Sequence, residues 1–289
     1  MQAKVWFRSP SSLLLFIFST LYIIIFGTLV SMAAEGMPPA QASAMVGAAF
    51  GTILTLMILS SASYQFGTNF LIMKDSVLLR RIGASKLTKP QVIGAFLLWA
   101  LTTLFIVVIY VFLTLYLFSD VLSLIPIFYW SNVNWLGLTV AIIIGAISAY
   151  IFSFLLLSLA NDTETYNIFN TLYFFFATAL GGLFGGNADW MFVFGHATPI
   201  GWTADFISNS MSGNEVFHLS NGYDAFSSSI TTDTEWGTQF VQIVEHPISG
   251  VPIGSQIIVL PWKASMDIFA PLLISGVTGG VALKLFKWD

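Results

Sequence analysis

The stretch Lys74-Asp75-Ser76-Val77-Leu78-Leu79-Arg80-Arg81-Ile82-Gly83-Ala84-Ser85-Lys86-Leu87-Thr88-Lys89 holds five of the ten basic residues in a chain of 289. It lies between two long apolar runs, and the other basic residues fall into a pattern with it. Lys4 and Arg8 precede the first apolar run, Lys284 and Lys287 follow the last, and only Lys263 stands elsewhere. Lys and Arg collect in loops on the cytoplasmic side because moving them across the bilayer during insertion is disfavoured. The pattern predicts a multi-pass protein of the cell membrane with both termini and the 74–89 loop cytoplasmic. Between Gly185 and Trp262 the acidic residues are Asp189, Asp205, Glu215, Asp224, Asp233, Glu235 and Glu245, with no Lys or Arg among them. That suits an external segment.

Composition agrees. The chain is 56% hydrophobic, 16% aromatic and 8% charged, against roughly 25% charged residues in soluble domains. Its net charge of −4 comes mostly from the external segment, so no nucleic-acid surface is expected. Without cysteine there are no disulfides and no thiolate metal sites.

Six runs are long enough for a bilayer core that takes about 20 helical residues: Leu13 to Ala33, Ala42 to Phe66, Val92 to Phe118, Leu136 to Leu159, Ile168 to Phe184 and Ala264 to Leu283. The first has the basic flank of a signal peptide, and Ser31-Met32-Ala33 mimics a cleavage site. It is longer than a signal core, so it is expected to be retained as a span. The fold class is therefore an all-α polytopic membrane protein with six transmembrane helices. Residues 1–184 hold spans one to five and a cytoplasmic segment at 69–89. Residues 185–263 form an enlarged external segment, and residues 264–289 hold span six and the tail.

Within the cytoplasmic loop, Asn69 to Thr88 is amphipathic, with Phe70, Ile72, Val77, Leu78, Leu79 and Ile82 apolar and Lys74, Asp75, Arg80, Arg81 and Lys86 charged. Gly83 and Pro90 mark its end. Such a stretch reads either as a helix on the inner leaflet with its basic groups among headgroups or as a docking element for a cytoplasmic partner. In the external segment, Trp190 to Met211 is apolar enough to lie in or dip into the outer leaflet. Ser212 to Thr238 is polar, and Gln239 to Val244 with Gln256 to Leu260 predict a small strand pair.

The spans hold few ionisable groups: Glu35 and Asp267 fall near span ends, while Asp162 and Glu164 lie in the inner link. Ion-coupled carriers place such groups inside the bundle, so the energy source is expected on another chain. No phosphate loop, His-Glu-x-x-His or Gly-x-Ser-x-Gly motif occurs, which leaves no means of holding ATP and no hydrolase signature. His196, His218 and His246 lack the spacing of a metal site. Gly47 with Gly51, Gly181 with Gly185, Gly182 with Gly186, and Gly276 with Gly280 permit close helix approach, with internal packing expected ahead of contact between chains.

This arrangement resembles the membrane-spanning permease subunit of the type-2 ABC exporter family. The resemblance rests on Lys4-Val5-Trp6-Phe7-Arg8-Ser9-Pro10 before the first span and on Lys74 to Ala84 after the second. It rests also on His196-Ala197-Thr198-Pro199-Ile200-Gly201-Trp202-Thr203-Ala204-Asp205 after the fifth and on Ala282-Leu283-Lys284-Leu285-Phe286-Lys287-Trp288 at the exit of the last. It implies a second permease subunit, identical or homologous, paired through spans one and five. It also implies cytoplasmic ATP-binding subunits that carry ATP and Mg, with no cofactor on this chain. By the same resemblance Lys74, Asp75, Leu78, Leu79, Arg80, Arg81, Ile82 and Gly83 couple the ATPase to the bundle, and membrane lipid surrounds the assembly. Tyr64, Gln65, Asn170, Thr171 and Phe174 are the candidate path for an amphiphilic, lipid-linked, peptide or drug-like cargo. Two departures stand out: the N-terminal cytoplasmic helix is reduced to about a dozen residues, and Ser208 to Leu260 is longer than the family's external hairpin. The rival reading is a non-transporting receptor or anchor that binds a partner through the external segment. A membrane-embedded enzyme is a weaker rival, since the spans lack paired carboxylates or a nucleophile with its base.

Overall fold

The computed structural model describes residues 10–33, 39–68, 70–71, 89–125, 128, 130–160, 162–179, 197–212, 233–234, 237–238, 240–245, 252–258 and 261–286. Helices occupy part of every apolar run: α1 (Pro10–Ala33), α2 (Pro39–Ser60), α3 (Lys89–Tyr116), α4 (Trp135–Leu159), α5 (Thr163–Ala179) and, last in the chain, α7 (Pro261–Leu285). A further helix, α6 (Pro199–Ser212), lies between α5 and α7. Among the described residues three helical stretches are long and apolar enough to cross a membrane, Gln91–Val121, Trp135–Leu159 and Met266–Leu285. That fits a membrane protein. The fifth run begins earlier than the hydropathy suggests, at Thr163, and its predicted continuation from 180 to 184 lies outside the described residues.

The helix starts follow from local chemistry. Proline occupies the first position of α1, α2, α6 and α7, where its missing N–H is not needed and its fixed φ suits the helix. Asn134 Oδ1 accepts from the Gly137 N–H at 3.0 Å and caps α4. Asp162 Oδ1 accepts from the Thr165 N–H at 2.7 Å and caps α5, satisfying one of the amides a helix start leaves open. That backbone N–H holds the Asp162 carboxyl below the usual carboxylate range.

The bundle is organised around α6, which packs against α2, α4 and α7. Glycines make the close approach possible. A Cβ on Gly51 of α2 would lie 2.5 Å from Ser208 Cα, and one on Gly145 of α4 would overlap the Thr203 methyl. Ile200, Thr203, Ile207, Ser208 and Met211 are all buried. The sequence places this region in or dipping into the outer leaflet. Its described part is a helix packed among its neighbours in the bundle, where small residues on two of them admit its backbone. Gly276 and Gly280 behave differently: among the described residues nothing lies within 4 Å of where their Cβ atoms would stand. Gly51 serves internal packing as expected, while no described neighbour meets Gly276 or Gly280; the pairs at Gly181 to Gly186 lie outside the described residues.

Outward faces are apolar. Ile17, Leu21, Ile25, Leu29 and Met32 form an exposed stripe on α1, opposite buried Ser19 and Ile23. The stripe Leu98, Phe105, Ile109, Leu113 and Tyr116 does the same on α3. In water such faces are costly at about 25 cal/mol per Å2; in hydrocarbon they cost nothing. After α3, a π-helical turn Leu117–Val121 leads to a cap in which Trp130 stacks on Trp135 at 5.9 Å. The Trp130 indole N–H donates to Asp120. Tryptophans with one polar tether suit a membrane–water interface.

Between α6 and α7, β1 (Asp233–Thr234) pairs with β2 (Gly237–Thr238), and β3 (Phe240–Glu245) pairs antiparallel with β4 (Pro252–Ile258), with Phe240 opposite Ile258 and Gln242 opposite Gln256. The second hairpin is the expected strand pair, its return strand starting earlier, at Pro252. A register irregularity at Val244 and Glu245 accommodates the proline, which has no N–H for the ladder.

Candidate functional site

At its C-terminal end α2 continues as a π-helical segment, Ser61–Thr68, shortly before the basic stretch in sequence. A π helix bonds each N–H to the carbonyl five residues back rather than four, and such segments are frequent at functional sites. Two carbonyls of this segment also accept from side-chain hydroxyls. Ser153 Oγ donates to the Ala62 carbonyl at 2.9 Å, and Tyr166 OH donates to the Ser63 carbonyl at 2.8 Å. The two hydroxyls lie 3.0 Å apart.

A second pair fixes the start of the segment. Ser61 Oγ and Tyr150 OH are 2.7 Å apart, and Tyr150 OH donates to the Ala100 carbonyl of α3 at 3.1 Å. The segment is thereby tied to α3, α4 and α5 through two tyrosines that are both fully buried. Gly67 completes the fit. A Cβ there would coincide with the Tyr166 hydroxyl, so only glycine lets that ring reach the backbone.

The chain then enters the loop through an aromatic clamp. Phe70 and Leu71 are buried, and Phe70 sits edge-on to Phe96 of α3 at 4.9 Å, Phe286 after α7 at 5.7 Å and Phe154 of α4 at 6.3 Å. Phe154 and Phe286 also meet at 5.4 Å. Edge-to-face rings in this range add about 0.5–1.5 kcal/mol per pair beyond area burial. Phe70 thus joins α3, α4 and the residue that follows α7.

The predicted coupling residues Lys74, Asp75, Leu78, Leu79, Arg80, Arg81, Ile82 and Gly83 lie outside the described residues. Of the predicted path residues, Tyr64 and Gln65 contribute backbone to the π segment. Asn170 is 1% exposed, and Phe174 packs on Leu56 and Ala204. Thr171 is exposed, as is Phe175. The structure thus turns Asn170 and Phe174 inward and Thr171 outward rather than gathering them on one surface. Asn170 shares its inward face with Tyr166 and Tyr173, at the i, i+4, i+7 spacing of one helix side.

The sequence reading did not single out Ser61, Gly67, Tyr150, Ser153 or Tyr166. The only signal was a cluster of polar residues, Ser60-Ser61-Ala62-Ser63-Tyr64-Gln65, interrupting an apolar run. It also placed Asp267 near a span end; the structure buries Asp267 at 3% exposure and Asp205 of α6 at 6%. Among the described residues no group of three or more His, Asp or Glu side chains could hold a metal ion. No protein-family model, curated protein or solved structure matches the chain.

Proposed function

We propose that the chain is the permease subunit of an ATP-driven exporter, with six spans, and that a separate cytoplasmic ATPase docks on the basic loop. The observation that carries this reading is the charge of that loop and where it falls in the chain. It holds half of the chain's basic residues and follows the π segment and the buried Phe70 in sequence. A stretch that merely lies on lipid needs no anchored segment before it. The six-span count is supported by α1 and α2, whose 24 and 22 residues reach about 36 and 33 Å at about 1.5 Å per residue, comparable to a hydrocarbon core of about 30 Å. The sequence holds no phosphate loop, and in this reading nucleotide is bound by a partner. The apolar and aromatic interior suits an amphiphilic cargo.

Buried Asp205 and Asp267 favour one second reading, an ion-coupled carrier, because carboxylates inside a bundle are the usual carriers of such coupling. The two differ in their energy source. Vesicles with the intact complex should transport on ATP addition and stay inactive under a pH or sodium gradient alone if the exporter reading holds; the reverse result favours the carrier.

Orientation is tested by single cysteines introduced into this cysteine-free chain. A membrane-impermeant thiol reagent on intact cells should label Ser228→Cys and leave Ser76→Cys unlabelled. The opposite pattern would place the basic loop outside and remove the coupling role.

A further inference from the structure

We infer that the turn joining α3 to α4 is a headgroup site for a zwitterionic phospholipid, with the terminal ammonium held against Tyr116 and Trp135 beside the Asp120 carboxylate and the acyl chains lying along α3. The turn connects two helical stretches long and apolar enough to cross a membrane, Gln91–Val121 and Trp135–Leu159, so it stands at a membrane–water boundary. The site requires only these two spans, whatever powers the chain.

Local chemistry builds it. At the end of α3 the Leu122 N–H donates to the Leu117 carbonyl and the Leu124 N–H to the Phe118 carbonyl, both at 2.9 Å. Between them Ser123 takes a φ of 52°, a conformation uncommon outside glycine. The chain turns back there, and Trp130 comes to lie against the helix it has left, 6.3 Å from Phe112 and 6.1 Å from Tyr116. Buried Phe128 meets Trp130 edge-on at 5.0 Å, and Trp135 stacks on it. The Asn134 N–H donates to the Ser210 carbonyl at 2.9 Å, which ties the turn to α6. Rings fixed in advance lose little freedom when a ligand arrives.

Two of these rings remain accessible: Tyr116 is 52% exposed and Trp135 is 50% exposed. The face of such a ring attracts an ammonium within about 6 Å of its centroid, and quaternary ammonium groups are recognised in this way. Asp120 adds charge. It is the one carboxylate between Lys89 and Asp162 in the sequence, and it is exposed. Its two donors, the Ser119 hydroxyl at 2.6 Å and the Trp130 indole N–H, both fall on Oδ2 and are both neutral. Oδ1 is left for a cation. No Lys or Arg occurs from Pro90 to Trp262, so an anionic headgroup finds a carboxylate in this turn and no basic residue.

The surroundings select a lipid over a soluble cation. The exposed stripe of Leu98, Phe105, Ile109 and Leu113 runs along α3 to Tyr116. Leu117 and Leu136, the chain neighbours of Tyr116 and Trp135, are exposed as well. A molecule with an ammonium head and hydrocarbon tails therefore meets matching surface along its whole length.

The test uses the full chain in nanodiscs of equimolar phosphatidylcholine and phosphatidylglycerol with the same acyl chains, released in a mass spectrometer under conditions that keep bound lipid. Among single-lipid adducts phosphatidylcholine is expected to exceed phosphatidylglycerol by about fivefold, the scale of one exposed cation–π contact together with one surface charge pair. Trp135→Leu and Asp120→Asn should each lower that ratio by about twofold or more. Trp135→Leu leaves the net charge unchanged, so its effect cannot come from general repulsion of an anionic lipid. Asp120→Asn keeps an oxygen for the Trp130 indole N–H, so the turn keeps its tether. A parent protein that holds the two lipids equally, or phosphatidylglycerol more, would overturn the site, as would a preference that Trp135→Leu leaves unchanged.

Discussion

Reversing Arg80 and Arg81 to Glu is expected to abolish both ATPase co-purification and transport while leaving membrane insertion intact. The two readings of the loop differ in magnitude. If the basic groups only touch anionic headgroups, each charge contributes about 1 kcal/mol near the surface, and the remaining spans keep the protein in the bilayer regardless. If they pair with carboxylates in a docked subunit, removing them strands those carboxylates and introduces like charges, at about 2–5 kcal/mol per close pair. Two such losses lower affinity by three orders of magnitude or more, at about 1.4 kcal/mol per tenfold. Leu79→Asp and Ile82→Asp should act through the apolar side of the same joint, since a carboxylate cannot be buried there unpaired. Normal retention of the ATPase in all three variants at matched expression would leave the loop as a membrane-surface element.

The second large effect is on folding. Gly51→Leu is expected to eliminate folded protein, whereas Gly276→Leu should be nearly silent. At Gly51 even the first added carbon would lie 2.5 Å from Ser208 Cα and 2.9 Å from its backbone nitrogen. Backbone cannot rotate away as a side-chain tip can, so α6 must move as a unit. Overpacking a tight core costs about 1–3 kcal/mol for a few methylenes and more where backbone is struck, a large part of the roughly 5–15 kcal/mol that holds a domain together. At Gly276 nothing among the described residues stands within 4 Å, and a leucine there adds apolar surface to an outward face. Gel-filtration profiles of the two variants in detergent, with thermal unfolding of any monodisperse fraction, measure the contrast. Similar behaviour at both positions would mean that α6 is not seated against α2.

The helix pattern was largely legible because a long apolar run in a chain with little charge has few other fates. The ends of α2, α4 and α7 lie within a few residues of the hydropathy boundaries. The hairpin of β3 and β4 was legible for a different reason: Phe240 to Glu245 and Pro252 to Ile258 are β-prone runs separated by a turn-forming stretch. What could not be read was which faces meet. The enclosure of α6 depends on Gly51 and Gly145 standing opposite Ser208 and Thr203, residues far apart in sequence. Its polar positions, Thr203, Asp205, Ser208 and Ser210, looked equally suited to an interface. The π segment was hidden for a deeper reason. Its stability comes from hydroxyls on α4 and α5, and local propensity carries no sign of a carbonyl that Tyr166 will serve from a hundred residues away. Asn170 was picked out as polar within a span, but nothing in the sequence distinguished its inward direction from the outward one of its neighbour Thr171.

The central claim is that this chain is powered from outside itself. The direct measurement is ATP hydrolysis by the affinity-purified protein from its native membrane, under mild detergent, in parallel with the same protein stripped of partners and with the Arg80→Glu, Arg81→Glu variant. The expected result is hydrolysis in the mild preparation, together with a soluble subunit bearing a phosphate loop, and none in the stripped or charge-reversed preparations. Hydrolysis that follows the chain alone through further purification, or a mild preparation with neither subunit nor activity, would contradict it.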